Sequence, residues 1–244
     1  MTAFADPTVK VLATEADVVA EVATALVTRL AEIQSVGRVP AIVLTGGTIA
    51  ALVHAAVAVH PRARDVDWTR VEIWYGDERY VAADSPDRNA VQARESLLDH
   101  VPVNADLVHE MPAADGPFGP DLDAAAAAYA STLRAEPFDI VMLGMGPDGH
   151  CASLFPGFPQ VHAAGPVVPV TGSPKPPPER LSLTIPALSN TRDIWFLVSG
   201  DGKADAAARA LARDARVDDV PASGPRGLER TVWYLDTAAA AHLR

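Results

Sequence analysis

The chain carries one cysteine, Cys151, in 244 residues. That excludes an intramolecular disulfide and a thiolate metal cluster, and it fits a reducing compartment. Cys151 adjoins His150, but neighbouring side chains point in different directions, which disfavours a catalytic thiolate. Positive charge is also scarce: 20 Lys and Arg face 31 Asp and Glu, for a net charge of −11 and a pI near 5.0. No nucleic-acid partner is expected, since that usually needs a basic face. An anionic substrate stays open, because a few clustered cations can bind phosphate on an acidic protein. No run of 18 apolar residues occurs, so no membrane-spanning helix is expected. The opening residues MTAFADPTVK lack a basic region followed by an apolar core and a cleavage site. A cytoplasmic protein is the expectation. The seven histidines (His54, His60, His100, His109, His150, His162 and His242) fall into no HExxH, and there is no paired-cysteine spacing. No metal is expected.

What is present is the composition of an ordinary enzyme, with 49% hydrophobic and 21% charged residues and a mean hydropathy of +0.11. The length suits one large α/β domain, taken as residues 1–244, or at most two small ones.

The segment FDIVMLGMGPDGHCASLFPG, Phe138 to Gly157, carries the most information. Ile140 to Leu143 form a short apolar run without alternation, as in a strand covered on both faces. Gly144, Gly146 and Gly149 then allow tight turns and close approach of a ligand. The loop delivers Asp148 and His150. An imidazole titrates near neutrality, so His150 is a candidate general base with Asp148 to orient it, the alternative being a loop histidine without chemistry. The three glycines also satisfy G-x-G-x-x-G, but Pro156 and Gly157 interrupt any long helix and no acid lies in Gly165 to Thr171. A nicotinamide site is therefore not expected.

Elsewhere strands alternate with helices. Thr14 and Asp17 open a helix whose apolar face is Val19, Val22, Leu26, Leu30 and Ile33, and Gly37 ends it. Strands are expected at Ala41–Thr45, Val71–Tyr75, Asp193–Ser199 and Thr231–Leu235. Helices are expected at about Thr48–Val59, Pro86–Leu98, Asp121–Leu133 and Lys203–Ala212. Pro112 to Pro120 and Gly165 to Pro178 read as loops, with a stiff polyproline run at Pro176 to Pro178. This alternation implies a doubly wound, mainly parallel, Rossmann-like sheet with helices on both faces. Function should gather at the carboxyl ends of its strands.

Four features fall there: Gly46–Gly47–Thr48, Asp77–Glu78–Arg79, Asp148–His150 and Gly200–Lys203. Gly46, Gly47 and Thr48 form a strand-to-helix turn suited to an anion, though a packing turn would look the same. Arg79 and Lys203 follow different strands, and Arg180 arrives beside them from the PPPER segment. Forked guanidinium groups and a mobile ammonium together suit a monophosphate. Asp77 and Glu78 end the strand VEIWYGDER, where a carboxylate can accept from sugar hydroxyls or merely neutralise Arg79.

The motifs LTGGT, WYGDERYV, GMGPDGHCASLFPG and PPPERLSLT together resemble the 6-phosphogluconolactonases, and more distantly the glucosamine-6-phosphate deaminases of the same superfamily. The resemblance runs from about Leu44 to Lys203. It implies hydrolysis of 6-phospho-D-glucono-1,5-lactone in the oxidative pentose phosphate pathway, with no metal or cofactor and no partner beyond the sugar-phosphate lactone. A monomer is expected. Two departures stand out: the family pattern Ser-Thr-Pro after the paired glycines is Thr48, Ile49 and Ala50 here, and Ser-Asn after DERYV is Arg88 and Asn89. Arg88 is thus a candidate extra cation for the phosphate. The deaminases carry a glutamate where this chain has Phe155, which favours the lactonase. His150 would then activate water, with Gly47, Thr48, Arg180 and Lys203 on the phosphate.

Overall fold

A computed structural model of the chain describes residues 6–243. In chain order its regular elements are β1 (Thr8–Leu12), α1 (Glu15–Ser35), β2 (Ala41–Leu44), α2 (Thr48–Ala58), β3 (Glu72–Tyr75), β4 (Asp77–Arg79), α3 (Asn89–Ser96) and α4 (Leu122–Thr132). There follow β5 (Phe138–Gly144), β6 (Val167–Val170), β7 (Arg180–Leu183), α5 (Ile185–Ser189), β8 (Thr191–Val198), α6 (Ala204–Leu211) and β9 (Arg230–Asp236).

Six strands make a wholly parallel sheet in the order β1-β9-β8-β5-β2-β3. From the β2–β5 junction the chain builds outward to β3 on one side and through β8 to β9 on the other. Right-handed crossovers in opposite directions put helices on opposite faces, which is the doubly wound arrangement. The strands at the junction are apolar, apart from Asp139 paired with Arg38, because both faces are covered: Ala41 to Leu44 and Phe138 to Leu143 are all buried. The change of direction leaves a crevice between the loops that follow β2 and β5.

The opening helix forms as its sequence dictates. Thr14 and Asp17 make a reciprocal capping box, the Asp17 N–H donating to Thr14 Oγ1 at 3.2 Å and the Thr14 N–H to Asp17 Oδ2 at 3.0 Å. Val18, Val22, Leu26, Leu30 and Ile33 form the buried stripe, Val18 taking the place expected for Val19. Gly37, at φ +82°, lies just beyond the helix end.

Three features differ from expectation. β1 was not foreseen: it is an edge strand whose residues stay largely exposed. A small antiparallel sheet, β4-β7-β6, occupies a region read partly as loop, and Pro169 sits in its edge strand β6, where a missing N–H is tolerated. Arg180 consequently begins a strand. The run Pro176 to Pro178 contains a cis bond between Pro176 and Pro177 instead of continuous polyproline geometry.

Candidate active site

The crevice is a cavity of about 520 Å³. Loops after β2, β5 and β8 supply Gly46, Gly47 and Thr48, then His150, then Lys203. The small sheet contributes Asp77 and Arg79 from β4 and Arg180 from β7.

Gly47 caps α2 with φ +94°, a conformation that favours glycine, and no side chain caps the helix. The first turn holds no acid. The Gly47 N–H donates to Gln92 Oε1 at 3.4 Å, and the N–H groups of Thr48 and Ile49, at the positive end of the helix dipole, lie along the cavity wall. Thr45 Oγ1 accepts from the Gly144 N–H at 3.3 Å and joins this turn to the β5 loop.

The β5 loop folds back on itself, with the Gly146 N–H donating to the His150 carbonyl at 2.9 Å. Gly149 adopts φ +92°. Within this turn Nδ1 of His150 lies 2.5 Å from Asp148 Oδ1. Burial pushes the Asp148 carboxyl up, but the hydrogen bond and charge of His150 outweigh it and hold the group well below the usual carboxylate range. An ionised Asp148 accepts from Nδ1–H, so neutral His150 keeps its lone pair on Nε2. Among the described residues Nε2 has no partner, and the ring lines the cavity with 15% of its side chain exposed. Phe155 packs against the ring at 4.8 Å between centroids and offers no acid or base. Asp148 is set behind the ring, outside the cavity lining.

Lys203 Nζ donates to the Met145 carbonyl at 2.6 Å, and burial, reinforced by nearby Lys175, lowers its pKa. Arg180 is buried, and burial lowers its pKa too. Its Nε donates to the Pro177 carbonyl at 3.2 Å and its Nη2 to the Lys175 carbonyl at 2.9 Å, while the guanidinium lies over the Phe155 ring at 5.9 Å. Much of its donor capacity thus shapes the 175–177 loop, which brings Lys175 to the cavity wall.

Arg88 is not brought to the cavity. It is 1% exposed, donates from Nη2 to the Met111 carbonyl at 2.7 Å, and places Nε 3.7 Å from Glu78 Oε2. Glu78 is fully buried and accepts from the main-chain N–H groups of Arg79, Asn89 and Ala90 at 2.9, 2.7 and 2.9 Å. The pair fastens β4 to the start of α3. Arg88, expected beside the phosphate, instead lies outside the cavity lining, held by a buried carboxylate beneath the site.

Sequence reasoning missed several cavity residues. Asn89 bridges Asp77 and Arg79, and Glu15 lies at the rim, accepting from Ser199 Oγ at 2.6 Å. Behind the cavity lining, buried Ser153 Oγ donates to Asp77 Oδ2 at 2.7 Å. Only Asn89, next to the motif DERYV in the resemblance, carried a usable signal. Among the described residues no group of three or more His, Cys, Asp or Glu could hold a metal ion, and no helix is long and apolar enough to cross a membrane.

A family model described as glucosamine-6-phosphate isomerases/6-phosphogluconolactonase matches residues 13–233. The chain is 45% identical over 239 residues to a 6-phosphogluconolactonase of Streptomyces coelicolor, covering 93% of this chain and 91% of that one. It is 48% identical over 213 residues to a 6-phosphogluconolactonase of Mycobacterium tuberculosis, covering 83% and 84%. The solved structure of 6-phosphogluconolactonase from Trypanosoma brucei superposes with a TM-score of 0.83 at 28% identity, covering 99% of this chain and all of that one. With its crevice, parallel sheet and glycine turns in that company, the chain belongs to the glucosamine-6-phosphate isomerase/6-phosphogluconolactonase family.

Proposed function

We propose that the chain hydrolyses 6-phospho-D-glucono-1,5-lactone to 6-phospho-D-gluconate in the oxidative pentose phosphate pathway, with His150 as general base. The observation that carries this reading is the free Nε2 of His150, held by Asp148 on a wall of a cation-lined cavity. The relatives' names support the substrate.

Nε2 takes a proton from water as the water oxygen attacks C1 of the lactone. The tetrahedral intermediate collapses with cleavage of the bond from C1 to the ring oxygen, and the imidazolium returns its proton to that oxygen. The new carboxylic acid ionises in solution. Each step uses groups that the chain itself supplies. The N–H groups at the start of α2, with Gly46, Gly47, the Thr48 hydroxyl and Lys203, hold the 6-phosphate. Arg180 contributes its remaining donor, Nη1, while shaping the 175–177 loop. Arg79 joins the phosphate or sets the edge of the site, and Asp77, already tied to Ser153 and Asn89, faces the sugar.

In this reading one domain, residues 1–244, works as a monomer in the cytoplasm and needs no nucleic acid or membrane. The buried thiol of Cys151 suits a reducing compartment. Phe155, packed on the His150 ring, argues against a deaminase, since the deaminases carry a glutamate at that position. The test compares two substrates: lactone generated in situ, followed against its spontaneous hydrolysis, and glucosamine 6-phosphate, followed by ammonia release. Acceleration of the first alone is expected. Ammonia release without lactone hydrolysis would reverse the assignment.

A further inference from the structure

Asn89, the first residue of α3, is 2% exposed, and its carboxamide lies between two residues of opposite charge. Nδ2 donates to the Asp77 carbonyl at 2.7 Å and to Asp77 Oδ1 at 3.1 Å. Oδ1 accepts from Nη1 of Arg79. The main-chain N–H of Asn89 donates to Glu78 Oε1, which anchors the residue to the strand that carries both partners. Gly46 makes room for this bridge: a Cβ there would fall 1.8 Å from Asn89 Oδ1 and 3.1 Å from Arg79 Nη1.

Asp77 and Arg79 are two residues apart on β4 and so project from the same face. An acid and a guanidinium at that spacing would ordinarily pair directly. Here they form no ion pair with each other among the described residues; each is satisfied by the opposite end of one amide. A carboxamide can do this because it is donor and acceptor at once. A carboxylate at position 89 would repel Asp77, and an alkyl group would leave both partners free to collapse together.

We propose that Asn89 is a positioning residue that keeps Asp77 and Arg79 from neutralising each other, leaving the Arg79 guanidinium charge available to an anionic sugar phosphate. The inference rests on the sugar-phosphate reading of the cavity. It gives Asn89 a function that runs through Arg79, not through general support of α3.

A double-mutant cycle on the full chain separates these roles. Binding of 6-phosphogluconate is measured by calorimetry for the wild type, Asn89→Ala, Arg79→Ala and the double variant, with lactone hydrolysis by the wild type recorded separately. Asn89→Ala is expected to weaken binding about 10-fold in the wild-type background and less than about 2-fold once Arg79 is gone. Equal weakening in both backgrounds would overturn the proposal, since a structural role does not depend on Arg79. Should Asn89→Ala fail to fold, Asn89→Ser, too short to span the two partners, takes its place in the cycle with the same expectation. A wild type that binds 6-phosphogluconate without hydrolysing lactone would refute the proposed reaction while the cycle still decides on Asn89. No measurable binding by a folded wild type would overturn both.

Discussion

Nδ1 of His150 and Oδ1 of Asp148 lie 2.5 Å apart within one five-residue turn, so the loop that presents the proposed base also orients its ring. Asp148→Asn keeps the shape but removes the charge that stabilises an imidazolium, and its amide can present a donor to Nδ1. Turnover is expected to fall by about 10²-fold or more, with a much smaller change in KM. The same pair has a pH signature. The carboxyl of Asp148 titrates below its ordinary value of 3.8 in the folded chain. Its stabilising contribution is therefore complete above that value and is lost as the pH falls through the lower, folded one. The wild type should melt above Asp148→Asn at neutral pH, and the gap should narrow below about pH 3.8. A gap that widens in acid would contradict this.

Gly146→Ala tests the geometry without replacing a titratable group. A Cβ at Gly146 would fall 2.1 Å from Cε1 and Nδ1 of His150 and 2.4 Å from Asp148 Oδ1. Ring and carboxylate must both move. Turnover is expected to drop by about 10²-fold, the scale of a lost general base, while the Kd for 6-phosphogluconate changes little. Normal turnover would mean that the ring position does not matter to the chemistry.

Arg88→Met separates a structural cation from a substrate ligand. Removing the guanidinium leaves Glu78 buried without its charge partner, which typically costs about 3 kcal/mol or more. A lower denaturation midpoint is expected, along with a near-normal KM in the folded fraction. A stable variant with a raised KM would return Arg88 to the phosphate site.

His54 carries an acid-sensitive element on α2, behind the turn that lines the cavity. It is 2% exposed on α2, its Nε2 has no partner, and burial lowers its pKa from 6.5 to about 4. Because the unfolded chain takes up the proton first, stability should fall as the pH drops from 6.5 to about 4 and lose no more from this group below that. The whole effect is about 3 kcal/mol. His54→Leu should flatten the pH dependence of Tm across that interval. An unchanged slope would show that His54 does not bear the loss.

The legible parts of this chain are those with local causes. Ala41 to Leu44 and Ile140 to Leu143 are uninterrupted apolar runs, closed by Thr45–Gly46 and by Gly144, which is how a strand buried on both faces reads, and the crevice follows from where those runs stop. β1 was missed because TVKVL at an exposed edge carries no burial signal, and β6 because Pro169 and its neighbours look like loop chemistry. Arg88 was misread for a different reason. The partners that bury it, Glu78 and the Met111 carbonyl, are 10 and 23 residues away, and no local pattern announces them. Arg180 was half legible: its place beside the cavity followed from the motif, but its hydrogen bonds to the 175–177 carbonyls depend on how that loop turns.

The most direct test is hydrolysis of 6-phosphogluconolactone, generated in situ and corrected for its spontaneous rate, by the wild type and His150→Ala side by side. Acceleration by the wild type, reduced by about 10²–10⁴-fold in the variant with 6-phosphogluconate still bound, is the predicted result. A folded His150→Ala protein with undiminished turnover would contradict the assignment of His150 as the base.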